Sequence, residues 1–178
     1  MRITFDPQKR DATLKTRGLD FTDAAKVFAG PVADVADTRF AYPEPRVVTF
    51  GYLDLRMVAV VWTPTVDGRR IISMRKANDR EQQTYGERLA FIDAYENTVG
   101  DYEEIPDMSE IDLSLVTWKI GDRVVSEAEG RVAMADALAS HRERIELELG
   151  GDVLAAYRAA GPDWRDRMAE ALRKAVGL

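Results

Sequence analysis

The chain begins with a short alternation of polar and apolar positions, Arg2-Ile-Thr-Phe5, which predicts a strand. Asp6-Pro7 follows, an N-cap residue with proline at the first helical position, so a helix is expected to about Arg17, where Gly18 closes it. Thr22 is the expected cap of a second short helix carrying Ala24, Ala25, Val27 and Phe28, which Gly30-Pro31 ends. Between Arg46 and Lys76 β-branched and aromatic residues dominate, interrupted at Leu53-Asp-Leu55 and Val66-Asp-Gly68. The pattern predicts an antiparallel meander over residues 46–52, 56–63 and 69–76. Asn78-Asp-Arg-Glu81 has the spacing of a capping box and starts a helix expected to run past Phe91. These elements make one α+β domain, assigned to residues 1–92.

Further on, residues 113–120 read as a strand and 126–140 as a helix. Arg144-Ile-Glu-Leu-Glu-Leu149 then alternates strictly, with Ile145, Leu147 and Leu149 on one face. Asp152 is placed to cap a helix bearing Val153, Leu154, Ala156 and Tyr157, Gly161-Pro162 breaks it, and Trp164, Met168 and Leu172 line one side of a second helix. Such a strand-helix-helix unit has little core of its own, and its lone strand leaves both ladder edges open. Two copies pairing Ile145, Leu147 and Leu149 across a homodimer meet both needs. The unit is assigned to residues 126–178.

Composition narrows the chemistry. The chain is 46% hydrophobic and 31% charged, enough to bury a core, and its longest apolar run, Met57 to Trp62, is far too short to span a bilayer. With no apolar signal core at its start, the chain is expected in the cytoplasm. It has no cysteine and one histidine, His141, which excludes a thiol nucleophile and a Cys/His zinc site. No metal or other cofactor is implied. Residues 1–92 carry fifteen basic against twelve acidic side chains, whereas residues 93–178 carry ten against nineteen. The excess is densest from Asp93 to Asp112, with eight acidic residues and no basic one. That run reads in two ways. It is a solvated acidic linker over residues 93–125, or a tether lying on a basic face as a phosphate mimic.

Ordered motifs in the first domain resemble the BrnT family of ribonuclease toxins over about residues 1–88. They are Ile3-Thr-Phe-Asp-Pro with Lys9-Arg10, Gly18-Leu-Asp-Phe21, Ala24-Ala25 with Val27-Phe28, Glu44-Pro-Arg46, and Ile71-Ile-Ser-Met-Arg-Lys-Ala-Asn78 followed by Glu81. The resemblance implies a RelE-like fold built on the antiparallel sheet. Many members read Lys-His-Gly before the second helix, where this chain has Thr16-Arg17-Gly18, and an arginine supplies charge without proton transfer near neutral pH. Residues 144–178, through Asp152-Val-Leu-Ala-Ala-Tyr-Arg-Ala-Ala-Gly-Pro162 and Trp164, resemble the ribbon-helix-helix end of BrnA antitoxins.

RNA cleavage through the 2′-hydroxyl needs a base, cationic donors for the developing phosphorane charge, and an acid for the leaving oxygen. RelE-like toxins often do this with Arg, Lys and Tyr, so the resemblance implies a metal-independent endoribonuclease that is either held inhibited or vestigial. Arg75 is the first candidate for phosphate stabiliser, since a guanidinium gives two parallel hydrogen bonds to phosphate oxygens. Lys76 adjoins it but points the other way on a strand, whereas Ser73 shares its face. Glu44 and Tyr85 are the candidate proton carriers, and Lys9, Arg10 and Arg17 the RNA-positioning side. Each has an ordinary alternative as a solvated or ion-paired surface residue. Phe21 and Trp62 are expected in a core, and Tyr42, in a loop, is placed to stack a base.

The expected function is a type II toxin–antitoxin fusion, an RNA-cleaving domain inhibited by its tethered antitoxin module. The rival is a ribbon-helix-helix DNA-binding regulator with an inert toxin-like domain. The outward strand face holds Arg144, Glu146 and Glu148, and carboxylates oppose a phosphate backbone, so DNA binding is doubtful.

Overall fold

The computed structural model describes residues 2–54, 56–86, 97–140, 148–161 and 164–175. They fall into two compact units, one holding the described residues up to 140 and the other those from 148 onward.

In the first unit, β1 (Arg2–Phe5) leads into α1 (Pro7–Arg17). The Asp6 carboxylate accepts hydrogen bonds from the Gln8 and Lys9 backbone N–H groups, and Gly18 ends the helix in the left-handed region at φ 65°. The next cap differs from expectation. The Asp20 side chain, not Thr22, starts a single 3₁₀ turn at Phe21–Asp23, because its carboxylate is within reach of the Thr22 N–H. α2 (Ala24–Ala29) follows, and then a strand that the sequence pattern did not reveal, β2 (Pro31–Ala36). Its pattern is obscured because Val32, Ala33, Asp34 and Val35 are all buried, so no alternation marks it. The meander is β3 (Val47–Leu53), β4 (Arg56–Thr65) and β5 (Gly68–Lys76), and the Asn78–Glu81 capping box starts α3 (Asp79–Tyr85).

From residue 97 onward, the stretch with two expected readings, solvated linker or tether, is packed within the first unit, and residues 93–96 lie outside the described residues. It contains α4 (Val99–Glu104), and Asp101, Ile105 and Met108 are buried. β6 (Val116–Ile120), β7 (Arg123–Val124) and α5 (Glu127–Ser140) complete the unit.

Among the described residues seven strands form one sheet in the order β1-β5-β4-β3-β2-β6-β7. The sheet is mixed and not purely antiparallel, because β1 pairs parallel with β5. Strand alternation divides the core between the two faces. Val58, Val60 and Trp62 of β4 pack with Phe21, Val27 and Phe28 on one face, while Met57, Ala59 and Val61 pack with Tyr85, Ile105, Trp118 and Met134 on the other. Phe21 and Trp62 are therefore core residues, as their size suggests.

β6 is held by more than its ladder to β2. The Asp34 carboxylate accepts from the Thr49 hydroxyl at 2.5 Å and from the Lys119 ammonium at 2.7 Å, and the Trp62 indole N–H donates to Thr49 Oγ1 at 2.7 Å. A buried carboxylate needs such partners to offset its loss of water. On the opposite face α5 presses Gly130 against Trp118. A Cβ at that glycine would lie 2.7 Å from Trp118 Cε3, so only glycine lets the helix come this close.

The second unit contains α6 (Gly151–Ala159) and α7 (Trp164–Ala175). Gly150, rather than Asp152, is the cap position of α6. Arg167 reaches back to the Tyr157 and Gly161 carbonyls, tying the two helices together. Leu149, Val153 and Leu172 are exposed. Of the expected dimer strand, Ile145 and Leu147 lie outside the described residues.

Because Trp118 fills the core of the first unit, Trp118→Ala is expected to destabilise that unit by about 3–5 kcal/mol. Urea unfolding followed by far-UV circular dichroism checks this, and an unchanged midpoint would show that residues 116–140 are dispensable to the sheet.

Candidate active site

β1 pairs with β5 only at Gly68–Ile71, so among the described residues no strand lies along the outer edge of β5 from residue 72 onward. Side chains take over there. Arg17, the last residue of α1, donates through Nη1 to the Ser73 hydroxyl at 3.1 Å and to the Met74 carbonyl at 2.9 Å, and Asn97 donates to the Lys76 carbonyl at 3.0 Å. Arg17 Nε lies 2.5 Å from Asp101 Oδ1. The other oxygen of that carboxylate accepts from the Thr98 N–H and hydroxyl. The position that departs from the family pattern is thus bound by the acidic segment.

Arg75 lies beside it, fully buried. Two of its donors meet the two oxygens of Glu81, each at 2.7 Å. Nη1 also donates to the Lys76 carbonyl at 2.8 Å. The remaining fork, Nε and Nη2, is taken by two successive backbone carbonyls, Ile105 at 3.0 Å and Pro106 at 2.6 Å. A guanidinium has five N–H donors, and here all five are used. The Tyr102 ring lies 5.0 Å from the Arg75 guanidinium carbon. Glu81 is equally committed, since it also accepts from the Asn78 and Met108 N–H groups.

The segment after α4 is fastened along α3. Tyr85 donates its hydroxyl to the Met108 carbonyl at 2.6 Å and stacks on Phe50 with ring centroids 4.2 Å apart. Thr84 bonds the Ser109 carbonyl and Arg80 the Asp107 carboxylate. Burial raises the Asp107 carboxyl, but hydrogen bonds from Ser109 and Asn78 and the charge of Arg80 outweigh it and hold the group below its ordinary range. A depressed carboxyl stabilises the fold above its unfolded pKa, about 4, and loses that contribution only as pH falls further. This latch is therefore closed at neutral pH.

The other sequence candidates are placed as follows. Burial, together with Glu81 and Asp107, pushes the Tyr85 hydroxyl well above its ordinary 10, so in this state it is a bound donor and not a proton carrier. Lys76 adjoins Arg75 but faces the other side of the sheet by strand alternation. Glu44 is ion-paired to Arg70, five β5 residues from Arg75 or about 16 Å along the strand. Arg10 is bound by Asp20 and Asp11, and Lys9 is exposed on α1. The structure therefore gathers Arg17, Ser73, Arg75 and Tyr85 with Glu81, and leaves Glu44, Lys9 and Arg10 elsewhere. Sequence reasoning identified Glu81 only as a capping residue and missed Asp101, Ile105 and Pro106. The one available signal for that segment was its unbroken acidity.

Among the described residues no group of three or more His, Asp or Glu is arranged to hold a metal, and no helix is long and apolar enough to cross a membrane.

Two protein families match. Residues 5–81 match the ribonuclease toxin, BrnT, of type II toxin-antitoxin systems, and residues 108–176 match the BrnA antitoxin of type II toxin-antitoxin systems. No curated protein matches the chain. The first match contains Arg17, Arg75 and Glu81, the second begins at Met108, and the segment that closes over the arginines joins them. The chain therefore has the architecture of a fused type II toxin–antitoxin pair, with a BrnT toxin domain at residues 5–81 and a BrnA antitoxin domain at residues 108–176 of a single polypeptide.

Proposed function

We propose that the first unit is a RelE-like, metal-independent endoribonuclease kept silent by its own chain. One observation carries this reading: residues 101–106 occupy Arg75, the candidate phosphate stabiliser, and Arg17, a candidate for positioning RNA. The Nε/Nη2 fork is the part of a guanidinium that takes two phosphate oxygens in parallel, and the Ile105 and Pro106 carbonyls sit there as neutral stand-ins. Asp101 supplies the negative charge, on Arg17. RNA cannot reach either group until the segment leaves. When it leaves, Arg75 keeps Glu81 as its partner and regains two donors, which suits it to the charge that develops on a phosphorane. Tethering makes the inhibitor intramolecular, at an effective concentration of about millimolar for a short linker.

The second unit we assign to dimerisation, through the ribbon-helix-helix strand expected at residues 144–149. The exposed Leu149, Val153 and Leu172 support this, since a lone helical pair leaves apolar area that a second copy can cover. We place its role apart from closure of the active site, since among the described residues the groups seen to close the site belong to the first unit.

Asp101→Lys places a cation against Arg17 and is expected to open the segment. The variant should cleave RNA and slow growth on expression while the parent does neither, and a folded Asp101→Lys chain that leaves RNA intact would overturn the reading. Glu81→Gln should act differently. It leaves the buried Arg75 charge without its carboxylate, costs about 3–5 kcal/mol, and shows as a lower urea midpoint and not as toxicity. Deleting residues 143–178 should convert a dimer to a monomer by light scattering and leave the chain non-toxic. Toxicity after that deletion would move the inhibitor into the second unit.

A further inference from the structure

The loop between β2 and β3 carries two aromatic rings and several charges that the covered site does not use. Asp37 is buried at its base, where its N–H donates to the Arg46 carbonyl and its carboxylate takes the Arg39 guanidinium through two bonds of 2.9 Å. That carboxylate titrates below its ordinary range, because the bonds from Arg39 outweigh the effect of burial. Thus fixed, Arg39 lies 5.5 Å from the centre of the Phe40 ring. The Phe40 and Tyr42 rings meet edge to face at 5.7 Å, and Arg46 lies 4.1 Å over Tyr42. Pro43 and Pro45 stiffen the chain between them.

Two features of this loop lack an intramolecular explanation. Phe40 is 66% exposed although nearly every other phenylalanine in the first unit is in or against a core. Arg46 is the unmatched charge: Asp37 is taken by Arg39 and Glu44 by Arg70, and Arg46 Nε is buried with no acceptor among the described residues. An exposed ring joined through Tyr42 to a guanidinium lacking an anion matches the two halves of a nucleotide. The base stacks, and the phosphate pairs.

We propose that residues 39–46 form a docking platform for single-stranded RNA, with Phe40 stacking a base and Arg46 holding a neighbouring phosphate. Stacking on a ring with an arginine nearby is tolerant of sequence, because every base has a π face. A duplex keeps its bases stacked inside and offers no face to Phe40, so the platform selects single strands. Arg70 lies at this end of β5 and Arg75 about 16 Å along the same strand, so the platform remains open while the arginines of the active site are covered. The proposal rests on the reading that the chain engages RNA, yet binding here does not require cleavage.

The test is fluorescence anisotropy of the intact chain with a labelled oligouridine and, separately, an RNA duplex of equal charge. The intact chain is expected to bind the single strand, Phe40→Ala to weaken it about tenfold, Phe40→Trp to retain it, and Arg46→Gln to weaken it with a shallower salt dependence. Phe40 is exposed, so loss of folding is not at issue, and circular dichroism verifies that. Oligouridine affinity unchanged by Phe40→Ala, equal affinity for the duplex, or no binding of the intact chain overturns the proposal. The two readings fail separately. If Phe40→Ala weakens binding but Asp101→Lys cleaves nothing, the platform stands and the nuclease reading falls; the reverse result removes the platform alone.

Discussion

A guanidinium taken out of water must find an acceptor for every N–H and a counter-charge, or it destabilises the fold by several kcal/mol. Arg75 imposes that requirement at the centre of the first unit, and the surrounding structure meets it. Glu81 is brought within reach by the helix that Asn78 caps, and the Ile105 and Pro106 carbonyls by a segment thirty residues away. The same Glu81 receives the Met108 N–H, so the pair fixes both α3 and the segment lying on it. Removing any one partner leaves the others with unmet polar groups in a core.

The acidity of residues 93–112 acquires a local meaning from this arrangement. Three of its carboxylates make specific local bonds. Asp101 binds Arg17, Asp107 binds Arg80 and the Ser109 N–H, and Asp112 caps the turn that leads into β6. The two contacts on Arg75 come from neutral carbonyls, which bind the guanidinium without placing another carboxylate beside Glu81. Specific hydrogen bonds hold the segment down, and the net charge of the run adds a favourable but screened background.

The antitoxin half does more than follow the toxin half along the chain. Its first elements, β6 and α5, extend the sheet and close its second core, with Trp118 against Gly130 and Lys119 against Asp34. The toxin match ends at residue 81, but the core on one face of its sheet draws on residues as far along as Met134. Folding and the covering of the candidate site are consequently coupled in this protein. The chain that completes the core is continuous with the chain that closes the site.

Elements whose causes are local were legible in the amino-acid order. The Asp6-Pro7 start and Gly18 stop of α1, the meander, the Asn78–Glu81 box and the two C-terminal helices each depend on residues a few positions apart. Arg75 was singled out, but its burial was not foreseen, because a strand pattern reports which face a residue occupies and not what lies over that face. β2 escaped notice because Asp34 interrupts an apolar run, and that interruption is tolerable only through Thr49 and Lys119, which are remote in sequence. The parallel pairing of β1 with β5, the open edge that Arg17 covers, and the packing of the acidic segment were likewise settled in three dimensions. Short-range propensities determine the elements, whereas the placement of a buried charge is decided by partners that only the tertiary fold brings together.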